Sequence, residues 1–256
     1  MISKTRAMVL VLVSMTASCA PDRVYRQQDN IDVSPEGLAR YHWRLADARS
    51  ARGERLDAFV GATGGQPMAL TFSGSHSLGA YAGCNYFSES YTLEGGRLLQ
   101  STESLATLTA MSCVPSIDHA MVAFLTDGPA ILESGTTDAP HLRLRNVQGD
   151  HLDFAGKLTA RTRYRSEGDI VHVEIDRQSA ACRRSSRPRS CMSVRELAYA
   201  VGEAPHGEPG VWMVIEDGIE GFEEFPASTG DLLVRRFRLQ HPRPDQSSFA
   251  YVRLDW

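Results

Sequence analysis

Alternating apolar residues run along most of the chain and indicate β-strands. Tyr41, Trp43 and Leu45 alternate with polar residues, as on one face of a half-buried strand, and residues 69–72 repeat the pattern. Further segments with strand-forming residues in the first part of the chain are 79–91, 98–99, 142–144 and 152–154. The last two flank a turn at 148–150, which predicts a closing hairpin.

The apolar period changes between Cys113 and Gly128, where it fits an α-helix. Pro115 suits a first helical turn, Asp118 complements the positive N-terminal end, and Gly128 is a plausible stop. A helix this short must pack on the sheet to be stable. The apolar residues that fall on one helical face are Ile117, Ala120, Met121, Phe124 and Leu125.

The pattern is interrupted at 158–168 by alternating arginines, which predicts a domain boundary there. Beyond it, Val171, Val173 and Ile175 alternate as a half-buried strand. The further strands expected in this half lie at 192–194, 212–215, 232–239 and 249–254. The predicted fold class is α+β and mainly antiparallel β: a sheet with one packed helix, then a second small β-rich domain over 166–256.

The N-terminal residues are typical of an export signal. Lys4 and Arg6 precede a short apolar core at 8–15, and small residues precede Cys19. This order resembles a bacterial lipobox, in which the cysteine is diacylated and becomes the mature N-terminus. The alternative is a signal peptide that is cleaved without lipidation. We expect a signal at 1–18, a membrane anchor at Cys19 and a polar tether over 19–36.

Overall composition narrows the class of partner. The chain has 256 residues, enough for one large domain or two of ordinary size, and its net charge of -4 indicates neither a strongly acidic nor a strongly basic partner. We therefore expect no nucleic-acid binding. If the host has two membranes, Ala20 after the cysteine resembles the pattern of lipoproteins sorted to the outer membrane, facing the periplasm.

One ordered set of motifs runs through the first half of the chain. It consists of Trp43, Leu45, Leu70, Phe72, Gly83-Cys84-Asn85, Tyr91, Thr109, Met111, Cys113, Phe124 and Leu125, with the strands at 142–144 and 152–154. In order and spacing this set resembles the META domain of HslJ-like lipoproteins over residues 37–157. That family is α+β, mainly antiparallel sheet with a packed helix, and its members are linked to envelope stress rather than to a known reaction.

The second half carries a separate set of motifs. Its residues are Cys182, Cys191, Val194, Trp212, 219–222, Pro242, Pro244, Asp245, Ser247, Ser248 and Tyr251. This set resembles an uncharacterised bacterial domain that often follows META domains in lipoproteins. The likeness covers roughly 168–256, and no activity comes with it.

Export favours disulfide formation among the four cysteines other than Cys19. Four cysteines allow three connectivities, and the sequence alone does not choose between them. Both family resemblances bring cysteines together within one domain, which implies the pairs Cys84–Cys113 and Cys182–Cys191. The alternative is that Cys84 and Cys113 stay reduced as small buried residues.

Several motifs contain residue types that occur in catalytic, phosphate-binding or metal-binding sites. Ser75 and His76 are adjacent, so their side chains diverge in an extended chain, and residues 149–157 lack the glycine spacing of a phosphate loop. His172 and Glu174 share one strand face but need distant ligands to bind zinc. The acidic residues that could gather around calcium lack EF-hand spacing and favour a solvated hairpin instead: Glu216, Asp217, Glu220, Glu223 and Glu224. We expect no catalytic residues, metal or cofactor.

The most unusual surface feature is the arginine-rich loop between Cys182 and Cys191. It either grips an anionic partner, such as lipopolysaccharide or phospholipid head groups, or is a solvated loop that aids solubility. Its basic residues are Arg183, Arg184, Arg187 and Arg189.

Together these features predict a non-enzymatic envelope lipoprotein that acts as a binding module in stress or assembly. Its expected partners are the membrane, through Cys19, and an anionic envelope component or a protein. Two alternatives stay open, a periplasmic enzyme with an unrecognised site and a purely structural envelope protein. The sequence indicates no oligomeric state.

Overall fold

The structure is a computed structural model, which describes eleven segments of the chain. They are residues 30–59, 68–74, 76–82, 85–101, 107–108, 115–176, 191–197, 208–215, 217–222, 231–242 and 247–254.

Three helices and fifteen strands occur in the described residues. The helices are α1 (Pro35–Leu38), α2 (Pro115–Thr126) and α3 (Ala160–Tyr164). The first nine strands are β1 (Tyr41–Arg49), β2 (Ala69–Phe72), β3 (Ser77–Ala82), β4 (Asn85–Glu94), β5 (Arg97–Gln100), β6 (Thr107–Leu108), β7 (Ala130–Ser134), β8 (His141–Arg145) and β9 (His151–Leu158). The others are β10 (Asp169–Asp176), β11 (Met192–Leu197), β12 (Met213–Ile215), β13 (Ile219–Glu220), β14 (Asp231–Arg238) and β15 (Phe249–Arg253).

The first nine strands form one sheet that closes into a barrel. Eight of them follow one another around the ring in the order β1-β2-β3-β4-β5-β7-β8-β9, and β9 pairs back onto β1. The short strand β6 pairs with β4 beside this ring. Every pairing in the sheet is antiparallel, so each strand presents alternate side chains to the interior.

Large apolar side chains line the interior of the barrel. Trp43, Leu70, Phe87 and Phe154 are almost fully buried and belong to one continuous core. Helix α2 begins at Pro115 as the sequence predicts, and its Met121, Phe124 and Leu125 join that core. The prediction of one short helix packed on an antiparallel sheet is confirmed for this part of the chain.

The segment before β1 also packs on the barrel. Ser34 caps α1 by accepting a hydrogen bond from the Gly37 amide, and the Trp43 indole donates one to the Leu38 carbonyl at 3.0 Å. Ile31 is buried, and its amide bonds to the Gly135 carbonyl. The predicted tether covers 19–36, but its described residues, from 30 onward, are docked on the domain.

The remaining strands form a six-stranded sheet in the order β12-β11-β10-β14-β15-β13. All its pairings are antiparallel except that between β13 and β15. Val173, Val194, Val234 and Tyr251 lie in a second core cluster, separate from that of the barrel. The alternation predicted for Val171, Val173 and Ile175 is present, with the latter two buried.

The predicted boundary region contains α3, which packs on the second sheet. The Tyr164 ring stacks on the Phe237 ring with centroids 4.9 Å apart, and Ala160 joins the same small cluster. The Glu220 carboxylate of β13 forms ion pairs with Lys157 at 3.0 Å and with Arg163 at 2.7 Å. The end of β9 and the helix α3 therefore connect the barrel to the second sheet.

The predicted fold class holds as mainly antiparallel β. The α+β label overstates the helical part, because two of the three described helices have only four or five residues. The sequence predicted a sheet where the structure has a closed barrel.

Candidate functional site

A row of polar and aromatic side chains on β4 faces the inside of the barrel. Asn85, Phe87, Glu89 and Tyr91 occupy alternate positions and are all buried, whereas Tyr86 on the other face is 44% exposed. Tyr86 lies over Gly79 of β3, where its hydroxyl and the Thr71 hydroxyl occupy the space that a Cβ would need. A Cβ at this position would force these hydroxyl groups to move, so glycine allows the close approach.

Glu89 is a carboxyl group inside an apolar core. It is 5% exposed, and its Oε2 has no hydrogen-bond partner among the described residues. Burial raises the pKa of Glu89 from 4.5 to about 7, because the charged form loses its hydration. Near neutral pH this side chain therefore exchanges between neutral and charged forms inside the barrel.

Tyr91 lies two residues further along the same face. Its hydroxyl is buried and has no partner in the part of the chain that the structure describes. The Phe72 ring meets the Tyr91 ring edge-on at 5.5 Å, and the His76 ring lies 6.0 Å away. Burial, assisted by the negative charge of Glu36, raises the pKa of Tyr91 to about 12, so its hydroxyl stays protonated.

The other end of the row contacts α2. The side-chain amide of Asn85 donates a hydrogen bond to Asp118 Oδ2 at 2.6 Å, and Asp118 is 6% exposed. Its Oδ1 has no partner within the described segments. Asp118 was predicted to favour the helix N-terminus, and the structure shows that it also ties the helix to the barrel wall.

A charged network lies on the core side of the second sheet. Arg236 donates to Glu196 at 2.6 Å and to Asp169 at 2.9 Å, and the Tyr251 hydroxyl donates to Glu196 at 2.8 Å. Burial and the bond to Glu196 raise the pKa of Tyr251. Arg236 and Tyr251 are bound to the carboxylates of this network, so it favours a structural role over catalysis.

An apolar patch is exposed at the edge strand of the second sheet. Val211 is 80% exposed, Trp212 45% and Val214 41%. The Arg195 guanidinium lies 4.8 Å from the centre of the Trp212 ring and also binds Glu174 at 2.6 Å. We call Val211, Trp212 and Val214 the edge patch.

Most residues of the predicted sites lie outside the described segments. These are Cys19, Ser75, Cys84, Cys113, Cys182, Arg183, Arg184, Arg187 and Arg189. Cys191 is described: it is 2% exposed and disulfide-bonded. Its partner is one of the cysteines outside the described residues, so the pairing with Cys182 stays a prediction, as does the pair Cys84–Cys113.

Two described carboxylates that were considered as metal ligands, Glu174 and Glu220, form ion pairs with basic side chains. Glu174 is bound by Arg195 rather than directed to a metal with His172. Burial raises the pKa of Glu220, but the hydrogen bonds and charges of Lys157 and Arg163 outweigh that effect and lower it. Glu216, Glu223 and Glu224 lie outside the described segments.

The described segments contain no group of three or more His, Cys, Asp or Glu side chains that could hold a metal ion. No helix in these segments combines the length and apolarity needed to cross a bilayer.

The sequence analysis did not identify Glu89 or the edge patch. The sequence does contain a sign that Glu89 shares the face of Phe87 and Tyr91, because the three residues occupy alternate positions of one predicted strand. Trp212 was assigned to a strand, but nothing in its neighbours indicated that this strand lies at a sheet edge with its side chains exposed.

Comparisons with known proteins match part of the chain. Residues 36–158 match the family model of the META domain. No curated protein matches the chain significantly. Among solved structures, the NMR structure of a protein from Burkholderia xenovorans is 24% identical, with 54% of this chain and 97% of that chain covered and a TM-score of 0.38.

The family match at residues 36–158 therefore identifies the domain. The resemblance of residues 168–256 to an uncharacterised domain stays a prediction. The match at 36–158 agrees with the resemblance seen over 37–157 in the motifs around Asn85, Tyr91 and α2. The chain therefore contains a META domain, formed by residues 36–158.

Proposed function

We propose that this protein is a lipid-anchored envelope protein that acts by binding another protein, without catalysis, in envelope assembly or stress. The observation that supports this most is the edge patch. Three apolar side chains are exposed within the four residues 211–214, whereas exposed apolar residues are usually scattered singly. The META domain supports an envelope binding role, because its family is linked to the envelope and to no known reaction.

The proposed partner is an extended segment of another envelope protein. Strand β12 is the end strand of its sheet, and residues 211–215 contain no charged residue or proline that would discourage pairing. A segment that adds a strand here satisfies main-chain hydrogen bonds and covers the side chains of Val211 and Val214. Arg195 is already bound to Glu174, so the partner segment needs apolar residues more than acidic ones.

Site-specific photocrosslinking in intact cells tests this proposal. A photoreactive amino acid replaces Trp212 in one variant and Val147 in the control variant. Val147 is 62% exposed and lies in the META domain, away from the edge patch in sequence. We expect one discrete protein adduct at position 212, mapping to an extended apolar segment of the partner, and none at 147. Equal labelling at both positions, or no adduct at 212, contradicts the proposal.

A further inference from the structure

The barrel interior holds two polar groups, each with an oxygen atom that has no hydrogen-bond partner among the described residues. Glu89 and Tyr91 are 5% and 1% exposed, and both project from the same face of β4. Residues two apart on a strand have Cα atoms about 7 Å apart. Glu89 Oε2 and the Tyr91 hydroxyl have no partner among the described residues.

Buried polar atoms are normally hydrogen-bonded, because leaving them unpaired costs the full loss of hydration. Two residues in alternate positions of one strand that each carry such an atom are therefore unusual. A barrel of eight strands has an interior that side chains fill or that holds one small ligand. The unused atoms and this size of barrel agree with a small occupant beside β4.

We propose that Glu89 and Tyr91 form the polar wall of a ligand site inside the META barrel, which takes a small uncharged molecule with an apolar body and one hydroxyl group. This site is separate from the edge patch and does not depend on the proposed binding function.

The side chains of Glu89 and Tyr91 together favour a ligand that carries a hydroxyl group. One hydroxyl oxygen can donate a proton to Glu89 Oε2 and accept one from the Tyr91 hydroxyl, and it can join atoms up to about 5.5 Å apart. The Tyr91 hydroxyl keeps its proton to donate, because its pKa is raised to about 12. The rings of Phe72 and His76 beside Tyr91 offer a surface for an apolar body.

A charged head group fits this wall less well. An ammonium group would have to lose its hydration inside a core of apolar side chains. An ammonium also cannot accept a hydrogen bond, so it would leave the proton of the Tyr91 hydroxyl unused.

Three probes of nearly equal size test the proposal: benzyl alcohol, toluene and benzylamine. Each is titrated into residues 20–256, which lack the predicted signal and the lipidated Cys19, and the backbone amide NMR signals of β4 are followed. We expect benzyl alcohol to bind about tenfold more tightly than toluene, from the added hydrogen bonds, and benzylamine to bind no better than toluene.

Matched variants locate the site. Tyr91→Phe should lower the affinity for benzyl alcohol to that for toluene, whereas Tyr86→Phe, a change on the exposed face of the same strand, should leave it unchanged. Glu89→Leu should act like Tyr91→Phe. Glu89→Gln keeps the shape and a hydrogen-bonding head group, so it should retain the preference even if Glu89→Leu does not fold.

Three results would overturn the proposal. They are equal affinity for benzyl alcohol and toluene, tighter binding of benzylamine, and unchanged β4 signals with all three probes. The last result would mean that water alone occupies the space beside Glu89.

Discussion

Replacing Glu89 by glutamine should stabilise the META barrel at neutral and alkaline pH. Glutamine has nearly the same shape as glutamate but carries no charge. Glu89 is almost fully buried among apolar residues, so its ionised form is destabilised in the folded protein. The variant removes that ionised form and leaves the packing in place.

The direction and size of this stabilisation follow from the linkage between proton binding at Glu89 and folding. Between about pH 4.5 and 7 the folded chain keeps a proton on Glu89 that the unfolded chain has released, so the stability of the wild type falls as the pH rises. The loss is complete above pH 7. A pKa raised from 4.5 to about 7 corresponds to about 3 kcal/mol. That is a large part of the stability of a domain, which is roughly 5–15 kcal/mol.

Urea unfolding at pH 5, 6, 7 and 8, followed by tryptophan fluorescence and circular dichroism, measures this difference. Other groups titrate equally in both proteins, so the difference between Glu89→Gln and wild type isolates residue 89. It should grow by about 2–3 kcal/mol between pH 5 and 8. Glu94→Gln is the matched control, because Glu94 lies exposed on the same strand, and its difference should stay near zero.

A pH-independent difference for Glu89→Gln would refute the reasoning. It would mean that Glu89 reaches water or a partner that keeps it ionised at ordinary pH. A destabilised variant at pH 8 would refute it more strongly, because the charge would then be contributing to the fold.

Three further predictions concern other parts of the chain. Asn85→Ala leaves a buried Asp118 carboxylate unpaired and should destabilise the barrel by roughly 1–3 kcal/mol, measured by thermal unfolding, whereas Tyr86→Ala on the outer face should cost less. Cys19→Ala should move the protein from the detergent phase to the aqueous phase in Triton X-114 partitioning, and continued detergent partitioning would exclude lipidation there. Non-reducing peptide mapping should link Cys191 to Cys182, and a link from Cys191 to Cys84 or Cys113 would contradict the proposed pairing.

Local patterns made the strands and α2 predictable. The side chains of Tyr41, Trp43 and Val173 alternate with polar neighbours because each strand has one buried face, and α2 has a regular apolar stripe. Helix α1 was missed because four residues are too short for a periodic signal. Its position depends on long-range contacts, such as that between the amide of Ile31 and the carbonyl of Gly135.

The closed barrel was not predictable for a related reason. Closure depends on the pairing of β9 with β1, residues more than a hundred positions apart, and no local pattern encodes such a pairing. Glu89 was missed because a charged residue in a strand is ordinarily assigned to the solvent face. Its burial is visible only once Phe87 and Tyr91 are known to point into a closed interior.

The most direct test of the binding role compares two lysine variants in cells that carry the photoreactive residue at position 212. Val214→Lys places a charge on the edge strand, which discourages pairing with another strand, whereas Val147→Lys places the same charge on an exposed turn of the META domain. We predict that the yield of the partner adduct at position 212 falls at least about tenfold with Val214→Lys and is unchanged with Val147→Lys. An equal yield from both variants would contradict the claim that this protein binds its partner through the edge patch.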